Sequence, residues 1–213
     1  MLIKKNLQEF AEVVKSDAPT PGGGSVSAYA SMIGSALANM VGGLTIDKKA
    51  FEKLSDDEKE TMKSHQERIS ELMDDFGKLV DDDATSFDSV MDAFKMPKET
   101  DEEKKARSEK IQEGYKKALE VPLSTAEKSL ELLELQSIYA EKGNGNAITD
   151  IGVGTMLAHV GLEGALLNVE INLSSLKDED YRKEVTEKVK NIREKGLELK
   201  DKNMKFVDER LRG

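Results

Sequence analysis

The chain has 213 residues, 35% of them charged, 38% apolar and only 5% aromatic, enough for one large domain or two small ones with a core of Leu, Ile, Val, Met and Ala. Its 42 acidic against 32 basic residues leave a formal charge of −10, which repels nucleic acid and anionic membrane unless a local basic patch intervenes. The lack of cysteine excludes disulfides, thiolate nucleophiles and Cys-ligated metals and fits a reducing cytoplasm, while two histidines, His65 and His159, exclude a multi-His metal site within one chain.

The opening MLIKKNLQEF has no long apolar run ahead of a cleavage site, so no signal peptide is expected. Lys4 to Lys15 reads as a short amphipathic helix with Leu7, Phe10 and Val14 on one side. Two prolines and three glycines between Asp17 and Gly24 then stop regular structure. Ser25 is the expected N-cap of a second helix running to about Val41 and ended by Gly42 and Gly43.

Ser55 and Glu58 have the spacing of a capping box and open a long helix. Ile69, Leu72, Phe76, Leu79, Asp83, Phe87, Val90 and Phe94 step by three or four along one continuous face, up to Met96 and Pro97. A further helical region is expected from about Asp101 to Tyr139, with Pro122 as a kink or break. A turn follows at Gly143 to Asn146, and Thr149 or Asp150 caps a helix to about Leu176. Asp178 to Arg212 forms the last, highly charged helix. No strand pattern, linker or repeat interrupts this order. The expected fold is all-α, one domain over residues 1–213, a bundle of long antiparallel helices.

The charges are distributed unevenly. Ala18 to Ile46 holds none in 29 positions, and Gly143 to Leu176 holds only Asp150, Glu163 and Glu170; together the two stretches contain 12 of the 16 glycines. Twenty-nine uncharged residues could cross a bilayer, but 15 of them are Gly, Ala or Ser. A buried helix whose small residues admit close neighbours fits better, with Gly34, Ala38 and Gly42 on one side and Ser27, Ser31 and Ser35 on another. The loop Pro21, Gly22, Gly23, Gly24, Ser25 lacks the lysine of a Walker A motif. As glycines ahead of a helix it offers unpaired amides to an anion or a carbonyl-rich heterocycle, or simply makes a tight turn.

Asp83 lies on the apolar stripe, where a carboxylate must be hydrogen-bonded, paired or catalytic. Asp150 reads as an N-cap or a second functional carboxylate. Asn144 and Asn146 suit the turn, and Asn168 and Asn172, one turn apart, suit interhelical hydrogen bonds. His159 has Glu163 four residues on, a structural pairing; His65, among Lys63, Glu67 and Arg68, reads as solvated.

These segments carry a family resemblance. PTPGGGSVSAYASMIGSALANMVGGLT, DDDATSFDSVMDAFKMPK, ALEVPLSTAE, GNGNAITDIGVGTMLA and GALLNVEINLSSLKD, in that order, resemble the formimidoyltetrahydrofolate cyclodeaminase / methenyltetrahydrofolate cyclohydrolase family over nearly the whole chain. The resemblance implies an all-helical homodimer with a folate site in a groove near the subunit interface. It implies that Pro21 to Ser25, Asp83, Asn144, Asn146, Asp150, Asn168 and Asn172 lie near that groove. A tetrahydrofolate derivative would be the substrate, with no covalently bound cofactor and no metal.

In cyclodeamination N10 attacks the formimidoyl carbon and the tetrahedral centre expels ammonia; in cyclohydrolysis water adds to the methenyl carbon and a C–N bond opens. Both need a base and an acid. A chain without cysteine and with only two histidines must use Asp, Glu, Lys, Tyr or water for those roles, and the candidates are Asp83 and Asp150, either as acid/base groups or beside a cationic substrate. The glycine-loop amides would hold the pterin or glutamate end, and Lys48, Lys49, Lys95 or Lys98 would meet an anionic polyglutamate tail. KMPKETDEE and the LT…AFEKL stretch resemble the cyclodeaminase branch most. Cyclohydrolase is the alternative, and a non-enzymatic helical scaffold is the alternative of another class.

Overall fold

The structure, a computed structural model, describes residues 1–49 and 51–212. Seven α-helices follow one another among these residues: α1 (Leu7–Lys15), α2 (Gly23–Thr45), α3 (Asp56–Ser86), α4 (Asp88–Phe94), α5 (Asp101–Lys142), α6 (Ile148–Leu173) and α7 (Glu179–Leu211). Short 3₁₀ turns stand at Leu2–Lys4, Phe51–Lys53 and Gly145–Ala147. No strand occurs among the described residues, and none of their helices is long and apolar enough to cross a membrane.

Local chemistry sets most of the starts. Asn6 with Glu9, Ser55 with Glu58 and Thr100 with Glu103 form complete capping boxes at α1, α3 and α5, and Asp178 caps α7 through the Tyr181 amide. The core joins Met62, Ile69, Leu72 and Phe76 of α3 to Leu119, Leu132, Leu133 and Tyr139 of α5 and to Ile151, Leu162 and Leu166 of α6.

The two charge-poor segments form the centre. α2 packs most extensively on α6, and the two run antiparallel with little between them. A Cβ on Gly34 would lie 2.9 Å from the Gly154 carbonyl oxygen, and one on Gly161 or Gly164 would overlap the Ser31 or Ser27 hydroxyl. Backbones this close require glycine. Beneath the seam, α5 supplies the partners for polar groups with no water: Ser129 bonds Ser31 at 2.7 Å, and Gln136 donates to the Gly34 carbonyl and accepts from Thr155. Gly34 and Gly42, grouped on one side by spacing, meet different neighbours. Gly42 turns to Gln66 of α3.

Four boundaries depart from the expectation. α2 begins at Gly23 with Gly22 as N-cap, because Ser25 is buried and its hydroxyl is used elsewhere, and it continues through Gly42 and Gly43 to Thr45. The long helix breaks at Phe87, whose ring stacks edge-on against Tyr115 at 5.7 Å. Pro122 lies buried inside an unbroken α5, whose packing on α6, α7 and α3 outweighs the one lost backbone bond. α6 starts at Ile148 after a 3₁₀ turn capped by Asn144, so neither Thr149 nor Asp150 is its N-cap.

Candidate active site

The most defined polar contact on the charge-free helix is at its start. Gly24 and Ser25 are buried in the first turn of α2, and the C-terminal part of α3 crosses directly beneath them. The Ser25 hydroxyl donates to Asp83 Oδ2 at 2.8 Å, and its backbone amide also holds the carboxylate. A Cβ at Gly24 would overlap the Asp83 carboxyl group, so glycine at this position is what admits it. The positive end of α2 thus already faces an anion from its own chain.

Burial pushes the Asp83 carboxyl above the ordinary aspartate value, and the Ser25 hydroxyl and amide offset part of that rise. Its side chain stays half-buried. A carboxyl so placed exchanges protons closer to neutral pH than a solvated one, as an acid/base group must. Ser25 therefore positions Asp83.

Asn168 completes this end. A Cβ on Gly23 would sit 3.3 Å from Asn168 Nδ2, which donates to the Gly164 carbonyl of its own helix at 2.8 Å instead of bridging helices. Asn172 lies one turn beyond, half-buried. Pro21 is buried and Gly23 exposed, and the peptide joining Thr20 to Pro21 is cis. Pro21 to Ser25, Asp83, Asn168 and Asn172 thus cluster where α2 begins and α6 ends.

Asn144, Asn146 and Asp150 do not join them within one chain. The Asn144 amide donates to the Thr45 hydroxyl at 2.8 Å and its side chain to the Leu44 carbonyl at 3.0 Å, which fixes this turn at the far end of α2. At 1.5 Å per residue, the length of α2 puts the two groups about 30 Å apart. Asp150 stands half-buried in the first turn of α6, and Asn146 is exposed.

Some residues that shape these ends carried no sequence signal. Arg210, near the end of α7, donates to the Ala140 carbonyl at 2.9 Å and to the Gly143 carbonyl, and so holds the turn that carries Asn144. Tyr115, which had none either, stacks on the stripe residue Phe87 one turn beyond Asp83. His159 does not pair with Glu163, which is taken by Arg193, and its Nε2 is buried without a partner among the described residues. His65 bonds the Leu135 carbonyl at 3.2 Å and is half-buried, contrary to the solvated reading. Of the four lysines considered for an anionic tail, Lys48, Lys49 and Lys98 are exposed and Lys95 pairs with Asp92. A cleft of about 450 Å³ between α4 and α5, lined by Ser89, Asp92, Met96, Lys110 and Glu113 among others, contains none of the residues singled out above.

The sequence model of the formiminotransferase-cyclodeaminase family matches residues 6–191. The chain is 41% identical over 180 residues to a methenyltetrahydrofolate cyclohydrolase of Methylorubrum extorquens, across 84% of this chain and 85% of that protein. It is 35% identical over 193 residues to the formimidoyltransferase-cyclodeaminase of Gallus gallus, and the match covers 91% of this chain but only about a third (35%) of that longer relative. In three dimensions it matches the crystal structure of a formiminotetrahydrofolate cyclodeaminase from Thermotoga maritima with a TM-score of 0.85, at 26% identity and over 98% of both chains.

Proposed function

The chain belongs to the formiminotransferase-cyclodeaminase family, and from that premise we propose that it is a tetrahydrofolate one-carbon enzyme, working at the carbon that bridges N5 and N10 in 5,10-methenyltetrahydrofolate. The observation that carries the chemistry is the Asp83 carboxyl, held at the mouth of the glycine loop by Ser25 and raised in pKa by burial.

In the cyclodeaminase direction N10 attacks the formimidoyl carbon, a base takes the N10 proton and an acid protonates the departing nitrogen as ammonia. One carboxyl that alternates between its two protonation states can serve both steps. Asp83 is assigned that work, Asn168 and the exposed Gly23 border the pterin, and Asp150 is assigned to the cationic amidine as a second carboxylate. Assembly as a cytoplasmic homodimer belongs to the same reading.

Cyclohydrolysis to 10-formyltetrahydrofolate is the second reading. The 41% identity to a named cyclohydrolase, over most of both chains, supports it, whereas KMPKETDEE and the LT…AFEKL stretch support cyclodeamination. Formation of the methenyl absorbance from 5-formimidoyltetrahydrofolate with release of ammonia supports the first; its loss in favour of 10-formyltetrahydrofolate supports the second. Folded protein that does neither is no enzyme of this class. Asp83→Asn and Asp150→Asn should each lower turnover at least tenfold with the fold retained, and a variant with unchanged turnover leaves the catalytic set.

A further inference from the structure

Arg210 stands in the last turn of α7 and reaches the last turn of α5, where carbonyls lack helical partners and the helix dipole is negative. Its Nη1 donates to the Ala140 carbonyl at 2.9 Å and its Nη2 to the Gly143 carbonyl. Arg68 and Arg193, likewise half-buried, each pair with two glutamates. The hydrogen bonds of Arg210 among the described residues all go to main-chain carbonyls instead. This cation is committed to the backbone.

The carbonyl it holds at Gly143 opens a turn with little freedom. A Cβ on Gly143 would lie 2.5 Å from the Tyr139 carbonyl oxygen, so glycine is what lets α5 end this tightly. Asn144 then uses all four of its polar groups. Its amide donates to the Thr45 hydroxyl and its side-chain nitrogen to the Leu44 carbonyl, while its side-chain oxygen accepts the Asn146 amide and its carbonyl the Ala147 amide. The Gly145–Ala147 turn leads straight into α6, whose N-cap, Ala147, has no side chain to cap it. Asp150 follows in the first turn, so the place of its carboxyl depends on where this turn puts the start of α6.

We propose that Arg210 is a positioning residue for the reaction: it touches no reacting group, but by fixing the end of α5 and the Asn144 turn it sets where the Asp150 carboxyl stands. The proposal rests on the folate reading above, in which Asp150 serves the cationic amidine. Arg210 lies past residue 191, where the match to the family ends. A guanidinium suits the task because its planar fork bonds two carbonyls at once, whereas an ammonium is a point donor. Displacing a reacting group by ~1 Å can cost as much as ~100-fold in rate, so loss of the fork should appear in turnover even where the fold survives.

Hydrogen exchange, which needs no folate, reads the turn directly, and the methenyl absorbance reads the reaction. Arg210→Met keeps the apolar stem and removes the donors. In it, amides 143–148 should exchange about tenfold faster or more, while those of the first turn of α2 keep their rate. Its kcat should fall about fivefold or more, with KM within about twofold of wild type. Arg210→Lys keeps a cation at the two helix ends and should fall between Arg210→Met and wild type in both readouts. In chains that already carry Asp150→Asn, Arg210→Met should lower kcat by no more than about twofold further, because both changes disable one carboxyl. Fast exchange at the turn with wild-type kcat would overturn the proposal, as would a loss that multiplies with that of Asp150→Asn. If Arg210→Met does not fold, the same comparison with Arg210→Lys decides between these outcomes. Wild-type protein inactive on both folates would sink the folate reading itself, whereas active wild type with an unaffected Arg210→Met overturns only the role given to Arg210.

Discussion

Asp83 accepts the Ser25 hydroxyl at 2.8 Å while its carboxyl fills the space that a side chain at position 24 would occupy. The contact joins the end of α3 to the start of α2 and holds a half-buried anion against a helix N-terminus. An amide in place of the carboxyl keeps the shape and removes the titration. Burial raises the Asp83 pKa in the folded state, so its contribution to stability is full below the unfolded pKa of about 3.9 and is lost as pH rises through the higher folded value. Asp83→Asn should therefore melt at or above the wild-type temperature at pH 7. The gap between the two should widen from pH 3.5 upward, while turnover falls at least tenfold. Thermal unfolding across that pH range checks it, and a variant that is less stable at pH 7 than at pH 3.5, relative to wild type, would sink the assignment.

Gly24→Ala tests the same contact from the other side. The added methyl overlaps the Asp83 carboxyl and must displace it, at an overpacking cost of about 1–3 kcal/mol. Turnover should fall as far as in Asp83→Asn, and the double variant should be little worse than either single one, because both remove one arrangement. Additive losses in the double-variant kinetics would mean that Gly24 and Asp83 act separately.

Much of this fold could be read along the chain because local signals agreed with tertiary packing. Ser55 with Glu58 and the period of the α3 stripe both identified the helix that delivers Asp83. The departures come from contacts with distant partners. Phe87 ends α3 where its ring finds Tyr115, and Pro122 is tolerated because α5 is packed along its length. The division of the site has the same origin. Motifs follow each other in sequence without saying which helix end they occupy, and antiparallel packing that brings Gly23 to Asn168 necessarily carries Asp150 to the other end.

Two glycines of α2 should respond in opposite senses. A Cβ at Gly34 would sit 2.9 Å from the Gly154 carbonyl and 3.2 Å from the Ala158 nitrogen, both backbone atoms that cannot rotate away. Gly34→Ala should cost about 1–3 kcal/mol. At exposed Gly43 the nearest atom to an added Cβ is Gln66 Nε2 at 3.9 Å, an ordinary contact. Gly43→Ala should stabilise by up to ~1 kcal/mol through helix propensity. Urea midpoints at pH 7 measure both, and a stabilised Gly34→Ala would refute the close seam.

His159 should make the fold sensitive to mild acid. Burial lowers its pKa below the usual 6.5, with Glu163, Lys200 and Asp201 as the charges that act on it, and among the described residues its Nε2 has no partner to accept a proton's hydrogen bond. Because the folded pKa is depressed, the unfolded chain takes the proton first. The stability from neutral His159 is present above about pH 6.5 and is lost as pH falls through the folded value. His159→Gln removes this titration, so the variant should lose less stability than wild type between pH 7.5 and pH 5. Paired urea titrations at half-unit steps provide the comparison. Curves that fall in parallel would place the acid sensitivity elsewhere, whereas a wild-type curve that falls more steeply than the variant's toward low pH assigns it to the unpartnered Nε2 between α6 and α7.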